Sequence, residues 1–311
     1  MQGKIPVIAK VGPPASGKTA LGVGLAQVMS GEVVSADSMQ IYNSMPIASA
    51  APTVEEMMGI PHHLIGFADP ETRFSVADYI KLASAEIKDI SSRGKLPLLV
   101  GGTGLYIDSL LNGILFGEED NSEQRAELER QADELGMEHM LEELRKIDPT
   151  TAERLHINDR KRVLRALEVF LLHGKTMTEL NEETRLSGSE YAPIYIGITY
   201  KDREKLYERI NRRVDLMLED GLLTEARRAY DIGVGKTSVQ AIGHKELFPY
   251  FDGTATLEEV IEALKRATRR YAKRQLTWFR RNEKINWIYA DTSEDVLDEA
   301  VSIVKKKNGG G

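Results

Sequence analysis

One octapeptide constrains the fold of this chain more than any other feature. It reads Gly12-Pro13-Pro14-Ala15-Ser16-Gly17-Lys18-Thr19 and fits the phosphate-loop pattern G-x-x-x-x-G-K-[ST]. That pattern needs a strand before it and a helix after it, which the apolar run Ile5–Val11 and the helical pattern Lys18–Ser30 supply. Backbone N–H groups in such a loop converge on phosphate oxygens, and the helix dipole adds positive potential. The sequence therefore predicts a phosphate site after the first strand of an α/β fold.

Two side chains of this loop, and the end of a later strand, indicate the chemistry. Lys18 is expected to bring a positive charge to the phosphates, and the Thr19 hydroxyl to bind either Mg²⁺ or a phosphate oxygen. Phosphoryl-transfer enzymes with this loop hold magnesium with an acid at a strand end. Here the strand candidate Leu96–Val100 runs into Gly101-Gly102-Thr103-Gly104, which offers no carboxylate. This difference favours diphosphate binding in a reaction other than phosphoryl transfer.

The second predicted strand, Glu32–Ala36, supplies a carboxylate instead, because Asp37 follows it directly. Ligands of open α/β sheets bind at this edge. An aspartate there can ligate magnesium, act as a general base or cap a helix. Gln40 lies close by in sequence and is suited to hydrogen-bond a base edge, as amides do with adenine.

Strand and helix patterns alternate over the first hundred residues, which predicts a parallel sheet with helices on both faces. Further strands are predicted at Ile194–Tyr200 and Ile285–Ala290, whereas residues 114–191 look helical throughout. We therefore predict an α/β fold of the phosphate-loop type, with a parallel sheet flanked by helices in residues 1–113 and 192–311. An all-helical insertion domain is predicted at 114–191.

Composition excludes several classes of protein. The 311 residues contain no cysteine, so disulfides, cysteine zinc sites and thiol nucleophiles are ruled out. No run of 18 apolar residues exists, which rules out a transmembrane helix. The amino terminus lacks a secretory cleavage pattern. We expect a cytoplasmic protein that acts as a monomer and does not bind membranes.

The net charge of −7 argues weakly against nucleic-acid binding, but the charges are segregated. Residues 117–145 hold eleven acidic residues and three arginines, whereas residues 265–284 hold nine basic residues and one acid. Local fields matter more than the sum for a polyanionic partner. The acidic run is interpreted as a solvated helix face. For the basic run, a polyanion-binding surface is favoured over a merely solvated face.

Taken together and in order, the motifs resemble those of the bacterial tRNA dimethylallyltransferases, also called tRNA isopentenyltransferases. The resemblance runs from about residue 5 to residue 290. The matching stretches are GPPASGKT (12–19), SADSMQIY (35–42), GIPHHLI (59–65), FSVADY (74–79), LLVGGTGLY (98–106), NDRKRVLRALEV (158–169), QAIGHKEL (240–247) and ATRRYAKRQLTWFRR (267–281).

The resemblance implies an activity. Such enzymes transfer a dimethylallyl group from dimethylallyl diphosphate to the exocyclic amine (N6) of the adenosine 3′-adjacent to the anticodon. Their tRNAs read codons that begin with U. The resemblance also implies Mg²⁺ as cofactor, and an insertion that clasps the anticodon stem-loop. Asp37 is expected to accept the proton of the amine, Thr103 to hydrogen-bond the diphosphate or the amine, and Arg213 to lie near the diphosphate.

The resemblance also implies a set of tRNA contacts. The flipped adenosine is expected to meet the Asp37 turn and Thr103, and the anticodon loop to meet two motifs. Arg125 matches a family arginine thought to touch tRNA, and Lys273 and Arg274 are added from the basic run. The full set is Asp37, Ser38, Met39, Gln40, Thr103, Arg125, Lys161, Arg162, Val163, Leu164, Arg165, Gln240, Ala241, Ile242, Gly243, His244, Lys245, Lys273 and Arg274.

Two departures from the family pattern are visible. Ala48-Ser49-Ala50-Ala51-Pro52-Thr53 replaces a GTAKPT-like stretch, so any contact from its lysine is lost, and His244 stands where tyrosine is more common. The adjacent His62 and His63 are interpreted as structural. An adenylate isopentenyltransferase, a small-molecule kinase and a non-enzymatic RNA-binding module remain as alternatives. The first of these would need neither the insertion nor the basic helix.

Overall fold

The computed structural model describes residues 3–114, 122–233 and 242–308. Its six strands form one sheet in the order β3-β2-β4-β1-β5-β6, and every pair of neighbours is parallel. The predicted parallel α/β fold is thereby confirmed. The strands are β1 Ile5–Val11, β2 Gly31–Ser35, β3 His62–His63, β4 Leu96–Gly101, β5 Tyr191–Thr199 and β6 Asn286–Tyr289.

Helices cover both faces of this sheet, and the apolar residues explain their placement. Ile8 of β1 and Leu98 of β4 pack in one cluster with Leu25. Val34 and Leu99 each come directly after a strand residue that belongs to this cluster. Because successive side chains of a strand point to opposite faces, Val34 and Leu99 lie on the other face of the sheet. The helices of this unit are α1 Lys18–Met29, α2 Val54–Met57, α3 Val76–Ser92, α4 Gly104–Asn112, α10 Arg203–Glu219, α11 Leu222–Ile232, α12 Phe248–Phe251, α13 Leu257–Phe279 and α14 Val296–Asn308.

A second compact unit spans Leu111–Glu190, between β4 and β5 in the chain. The insertion was predicted at residues 114–191. In its described part, α5 Ser122–Leu135, α6 Met137–Ile147, α7 Pro149–Arg154, α8 Arg160–His173 and α9 Met177–Ser187 enclose a core of their own. Asp148 connects two of these helices. Its carboxylate accepts hydrogen bonds from Thr151 N (3.0 Å) at the start of α7 and from Thr178 Oγ1 (2.6 Å) in α9.

Strand β3 and helices α2, α4 and α14 were not predicted. Strand β3 has only two residues, α2 has only four, and α4 begins inside a glycine-rich turn that reads as a helix breaker. The histidines of β3 make internal contacts, because His62 Nδ1 lies 2.8 Å from Ile60 O and His63 Nε2 lies 2.9 Å from Glu32 Oε2. Within the described ranges, no three His, Cys, Asp or Glu side chains cluster as a metal site would require. No helix of the described ranges is long and apolar enough to cross a membrane.

Glu32 connects the sheet edge to α3 and gives a prediction on stability. Hydrogen bonds from Arg93 lower the pKa of the Glu32 carboxyl to about 2, with His63 contributing. Because the pKa in the folded state lies below that of the unfolded chain, the ionised carboxylate stabilises the fold above about pH 4.3, and this is lost as the pH falls toward 2. Glu32→Gln should lower the free energy of unfolding by about 1–3 kcal/mol at pH 7.

Urea denaturation at pH 7 and pH 3 checks this, since the deficit of the variant should shrink at pH 3. An equal deficit at both pH values would show that ionisation of Glu32 is not its source.

Candidate active site

The phosphate loop leaves β1 and enters α1 with the conformation its sequence requires. Gly17 has φ +92°, in the left-handed region that favours glycine. Gly12 lies so close to β5 that a Cβ there would come within 2.4 Å of Ile198 O. Lys18 Nζ donates a hydrogen bond to Pro13 O at 2.7 Å, so its ammonium folds back over the loop. The eight residues from Gly12 to Thr19 therefore form one loop at the carboxyl end of β1.

The Asp37 turn and the Thr103 turn are joined at the same edge of the sheet. Thr103 Oγ1 accepts a hydrogen bond from Ser38 N at 2.9 Å, and Thr103 N donates to Ala36 O at 3.0 Å. Asp37 Oδ1 accepts from Met39 N at 3.0 Å, which closes a turn. The helix-cap alternative for Asp37 is wrong, because a turn and no helix follows it. The side chains of Asp37 and Thr103 are therefore held beside each other by backbone contacts.

Asp37, Lys18 and Arg213 form one electrostatic cluster. Burial raises the pKa of Asp37, although hydrogen bonds from Met39 and the charges of Lys18 and Arg213 oppose the rise. Burial and the charge of Arg213 lower the pKa of Lys18 to about 7. Burial also lowers the pKa of Arg213, against the attraction of Glu56 and Asp37. Lys18, Thr19 and Asp37 line one small cavity together with Gly101.

A second arginine reaches the phosphate loop from α10. Arg209 Nε donates to Ala15 O at 3.1 Å, and Arg209 lies one helical turn before Arg213 on the same face. Of these two arginines, only Arg213 was predicted from the sequence. The four-residue spacing inside the motif RINRRVDLM was the signal that would have added Arg209.

The glycine turn after β4 is packed against the basic helix α13. A Cβ at Gly102 would lie 2.1 Å from Gln275 Nε2, and one at Gly104 would lie 2.2 Å from Trp278. Gln275 Nε2 donates to Gly102 O at 2.7 Å. One turn before Gln275, Tyr271 lies near Thr103 and Asp37, and burial raises the pKa of its hydroxyl. Tyr271 lies in the motif ATRRYAKRQLTWFRR, but no site role was predicted for it from the sequence.

The other face of α13 carries exposed cations. Lys273 and Arg274 are exposed on this face, as are Arg266 and Arg270. Lys265 pairs with Glu262 one turn earlier (3.6 Å), but no carboxylate occurs between residues 263 and 282, so the later cations have no acidic neighbour within this stretch. The Arg274 guanidinium lies 5.5 Å from the centre of the Tyr271 ring. One helix thus presents a cationic surface and contacts the candidate catalytic turn.

Comparison with known proteins agrees with this geometry. A family model described as IPP transferase matches residues 40–282, and one described as isopentenyl transferase matches residues 5–67. A tRNA dimethylallyltransferase of Caldanaerobacter subterraneus is 47% identical over 92% of each chain. The chain belongs to the tRNA dimethylallyltransferase family.

Solved members of the family share the fold. A tRNA isopentenylpyrophosphate transferase from Bacillus halodurans is 44% identical, with a TM-score of 0.73 over 98% of this chain and 99% of that one. A eukaryotic dimethylallyltransferase, described as acting on tRNA, is 30% identical, with a TM-score of 0.84 over 98% of this chain and 79% of that one.

Several of the positions predicted to contact tRNA lie in the helical unit, and their environments differ. Arg125 Nη1 and Arg165 Nη1 converge on the buried carboxylate of Glu168, at 3.3 Å and 2.9 Å. Lys161 and Arg162 are exposed. Val163 and Leu164 are 0% and 1% exposed in the core of this unit, so their assignment to RNA contact is corrected to a packing role.

The QAIGHK motif requires a similar correction. Gln240 and Ala241 lie outside the described residues. His244 is 0% exposed, and its Nε2 lies 2.8 Å from Glu225 Oε1, so its predicted RNA contact is corrected to a structural role. Gly243 is buried against Ala48, whereas Ile242 is half-buried and Lys245 is exposed.

Glu225 and Gln40 hold the divergent Ala48–Thr53 segment by its backbone. The Glu225 carboxylate accepts from Ile47 N (2.8 Å) and Ala48 N (2.9 Å). Gln40 Nε2 donates to Ala50 O (3.2 Å), while its Oε1 accepts from Ser35 Oγ (2.9 Å). Gln40 thus connects the end of β2 to this segment by hydrogen bonds. Contact between Gln40 and a base stays a prediction. Neither Glu225 nor Glu168 was found from sequence, because Glu225 lies in none of the motifs and the positions assigned within NDRKRVLRALEV end at Arg165.

The Glu225 contacts predict a loss of stability on substitution. Glu225→Gln replaces one acceptor oxygen with an NH₂ group that faces the N–H donors, so one buried donor loses its partner. The free energy of unfolding should fall by about 1–3 kcal/mol, measured by urea denaturation. Glu219→Gln, at the exposed end of α10, makes the same chemical change as a control and should have little effect. Equal stability of the two variants would contradict this role for Glu225.

Proposed function

We propose that the protein transfers a dimethylallyl group from dimethylallyl diphosphate to the N6 amine of the adenosine immediately 3′ of the anticodon. Its substrates would be tRNAs that read codons beginning with U. One observation carries the proposal: a complete phosphate loop lies beside Asp37 and Thr103, while the strand end that holds an acid in kinases is a glycine turn. The names of its relatives, and a solved relative described as acting on tRNA, support the same activity.

The residues of the site suit each step of this transfer. The amine nitrogen attacks the first carbon of the allyl group, the bond from that carbon to the diphosphate oxygen breaks, and its electron pair leaves with the diphosphate. The proton released from nitrogen passes to the Asp37 carboxylate, whose raised pKa makes it a better proton acceptor. Loop N–H groups, Lys18 and Arg213 stabilise the charge that develops on the leaving group.

Magnesium fits the donor set of this site. Thr19, at the start of α1, offers a hydroxyl, and Asp37 lines the same cavity with a carboxylate. Mg²⁺ is commonly held by one or two protein oxygens together with substrate phosphates and water. Bound there, it would neutralise charge on the departing diphosphate. We propose Thr19 as its protein ligand.

The tRNA contacts follow from charge and from the position of the reacting base. A base inside a loop must be splayed out before its amine can enter a pocket. The exposed cations of α13 lie on the helix that contacts the Thr103 turn, which suits backbone phosphates next to the reacting base. A free adenine nucleotide would need no such surface, so the adenylate isopentenyltransferase alternative is disfavoured. Because one chain carries the whole catalytic set, we also propose a monomer, acting on tRNA in the cytoplasm.

Removal of the proposed base gives a direct test. Asp37→Ala should lower the single-turnover rate of transfer by roughly 10²–10⁴-fold, because proton acceptance by a general base is lost. The measurement uses labelled dimethylallyl diphosphate and unmodified tRNA, followed by digestion to nucleosides. Binding of tRNA should change much less. A rate near that of the wild type would overturn the assignment, and label found outside N6-modified adenosine would overturn the proposed function.

The cations of α13 give a second test. Phosphate contacts release counterions, so affinity for an anticodon stem-loop should fall log-linearly with salt concentration. Neutralising Lys273 and Arg274 together should flatten that slope by roughly one unit or more. Lys305→Ala with Lys306→Ala, on the exposed end of α14, makes the same change of net charge as a matched control. If the α13 and α14 double variants share the wild-type slope, Lys273 and Arg274 do not contact phosphates.

A further inference from the structure

One buried ammonium group lies directly before the phosphate loop and has no part in the chemistry above. Lys10 is the last residue but one of β1, and its side chain is 0% exposed. Among the described residues its Nζ has no hydrogen-bond partner. Strands buried on both faces normally carry apolar side chains at such positions. A buried amine without a partner lowers stability, so its presence in β1 requires an explanation.

The strand register gives the direction of the Lys10 side chain. Strand alternation turns Lys10 to the same face as Ile8, which packs against α1. Across the sheet, Lys10 is level with Val100 and Ile196, which belong to the same apolar cluster. Val100 in turn reaches Gly22 in the second turn of α1, where a Cβ would lie 3.0 Å from its methyl group.

Lys10 therefore lies between the end of the sheet and the first turns of α1, next to the phosphate loop that connects β1 to α1. The charge of Lys18 acts on it there. The phosphate loop itself also holds an unpaired polar group. Ser16 is 2% exposed, and its Oγ has no hydrogen-bond partner within the described ranges.

We propose that Lys10 is a diphosphate-binding residue, which supplies a second ammonium charge to the phosphate loop from below, in addition to Lys18. The proposal rests on the proposed function, because the anion it serves is the diphosphate of the prenyl donor. The apolar neighbours of Lys10 give it a low-dielectric environment. This environment raises the cost of burying the ammonium charge in the free protein, and it strengthens the attraction between that charge and an anion in the loop.

Burial and repulsion from Lys18 lower the pKa of Lys10 well below its ordinary value. A bound diphosphate acts in the opposite direction, because its negative charge favours the ammonium form of both lysines. Lys10 is thus destabilising for the free fold and favourable for the complex. This opposition separates a ligand-binding role from a structural one, because removal of a structural group lowers both stability and binding.

The experiment compares Lys10→Met with the wild type of the full chain. Methionine has nearly the same length and no charge. We expect a higher Tm in the absence of ligand, together with a Kd for inorganic diphosphate in the presence of Mg²⁺ that is roughly ten- to a hundredfold weaker. KM for dimethylallyl diphosphate should rise in parallel, and tRNA affinity should stay unchanged.

Ser109→Ala is the matched control. Ser109 is fully buried in α4, and its Oγ has no partner in the described part of the chain. The variant removes an unpaired polar atom away from the phosphate loop. It should also raise Tm, while leaving diphosphate affinity unchanged.

The outcomes separate this proposal from the proposed function. If the wild type neither binds diphosphate nor transfers the allyl group, the proposed function is wrong. If the wild type binds diphosphate and Lys10→Met binds it equally well, the Lys10 proposal alone is wrong. Lys10→Leu is the second variant: if both substitutions lower Tm or prevent folding, the ammonium has a structural partner and the proposal also fails.

Discussion

The geometry of the site depends on the close approach of two backbone turns at the carboxyl end of the sheet. A Cβ at Gly101 would lie 2.1 Å from Ala36 O, so any other residue there would push β4 away from β2. With glycine present, Thr103 N can donate to Ala36 O. Asp37 and Thr103 follow directly on the two strands, so this one contact sets the distance between them. The glycines where kinases carry an acid are therefore needed for packing as well as for chemistry.

The same turn couples the catalytic edge to the basic helix. Gly102 and Gly104 leave room for Gln275 and Trp278, and Trp278 Nε1 donates to Asp108 Oδ2 at 2.7 Å to fix the helix in place. Helix α13 is therefore fixed against the turn on one side, and its other side carries the exposed cations Arg266, Arg270, Lys273 and Arg274. A basic helix held at a distance from the sheet would bind RNA without any relation to the reacting base.

Carboxylates in this acidic protein serve mainly as internal ligands. Glu225 is bound to backbone N–H groups, Glu168 holds two arginines, and Glu32 holds Arg93. In the acidic run, Arg130 bridges Glu127 and Glu134 at one-turn spacing, as expected for a solvated helix face. Several acidic residues are therefore neutralised in local ion pairs, whereas the carboxylate-free stretch of α13 stays positive. The sign of the total charge is a poor guide to the partner of such a chain.

Sequence reasoning succeeded where structure is local. Strand β1 has the bounds that its apolar pattern predicts, and α1 ends one residue before its predicted end, because periodicity and capping act within a few residues. The phosphate loop is equally local. Glu225 was missed because its partner Ala48 lies 177 residues away, and Gln275 because Gly102 lies 173 residues away. The predicted RNA contacts of Val163 and Leu164 were wrong for another reason. A contiguous motif on a helix also includes residues of the buried face of that helix.

The divergent Ala48–Thr53 segment shows how such a chain can depart from its family pattern and keep its site. The segment is held through backbone atoms, by Glu225 on its N–H side and by Gln40 on its carbonyl side. Backbone contacts do not depend on side-chain identity, so the glycine and lysine of the family pattern can be replaced without releasing the loop. His244, which stands where tyrosine is more common, still places a polar ring atom 2.8 Å from Glu225. What this region must conserve is the acceptor carboxylate of Glu225, because two backbone donors and one ring depend on it.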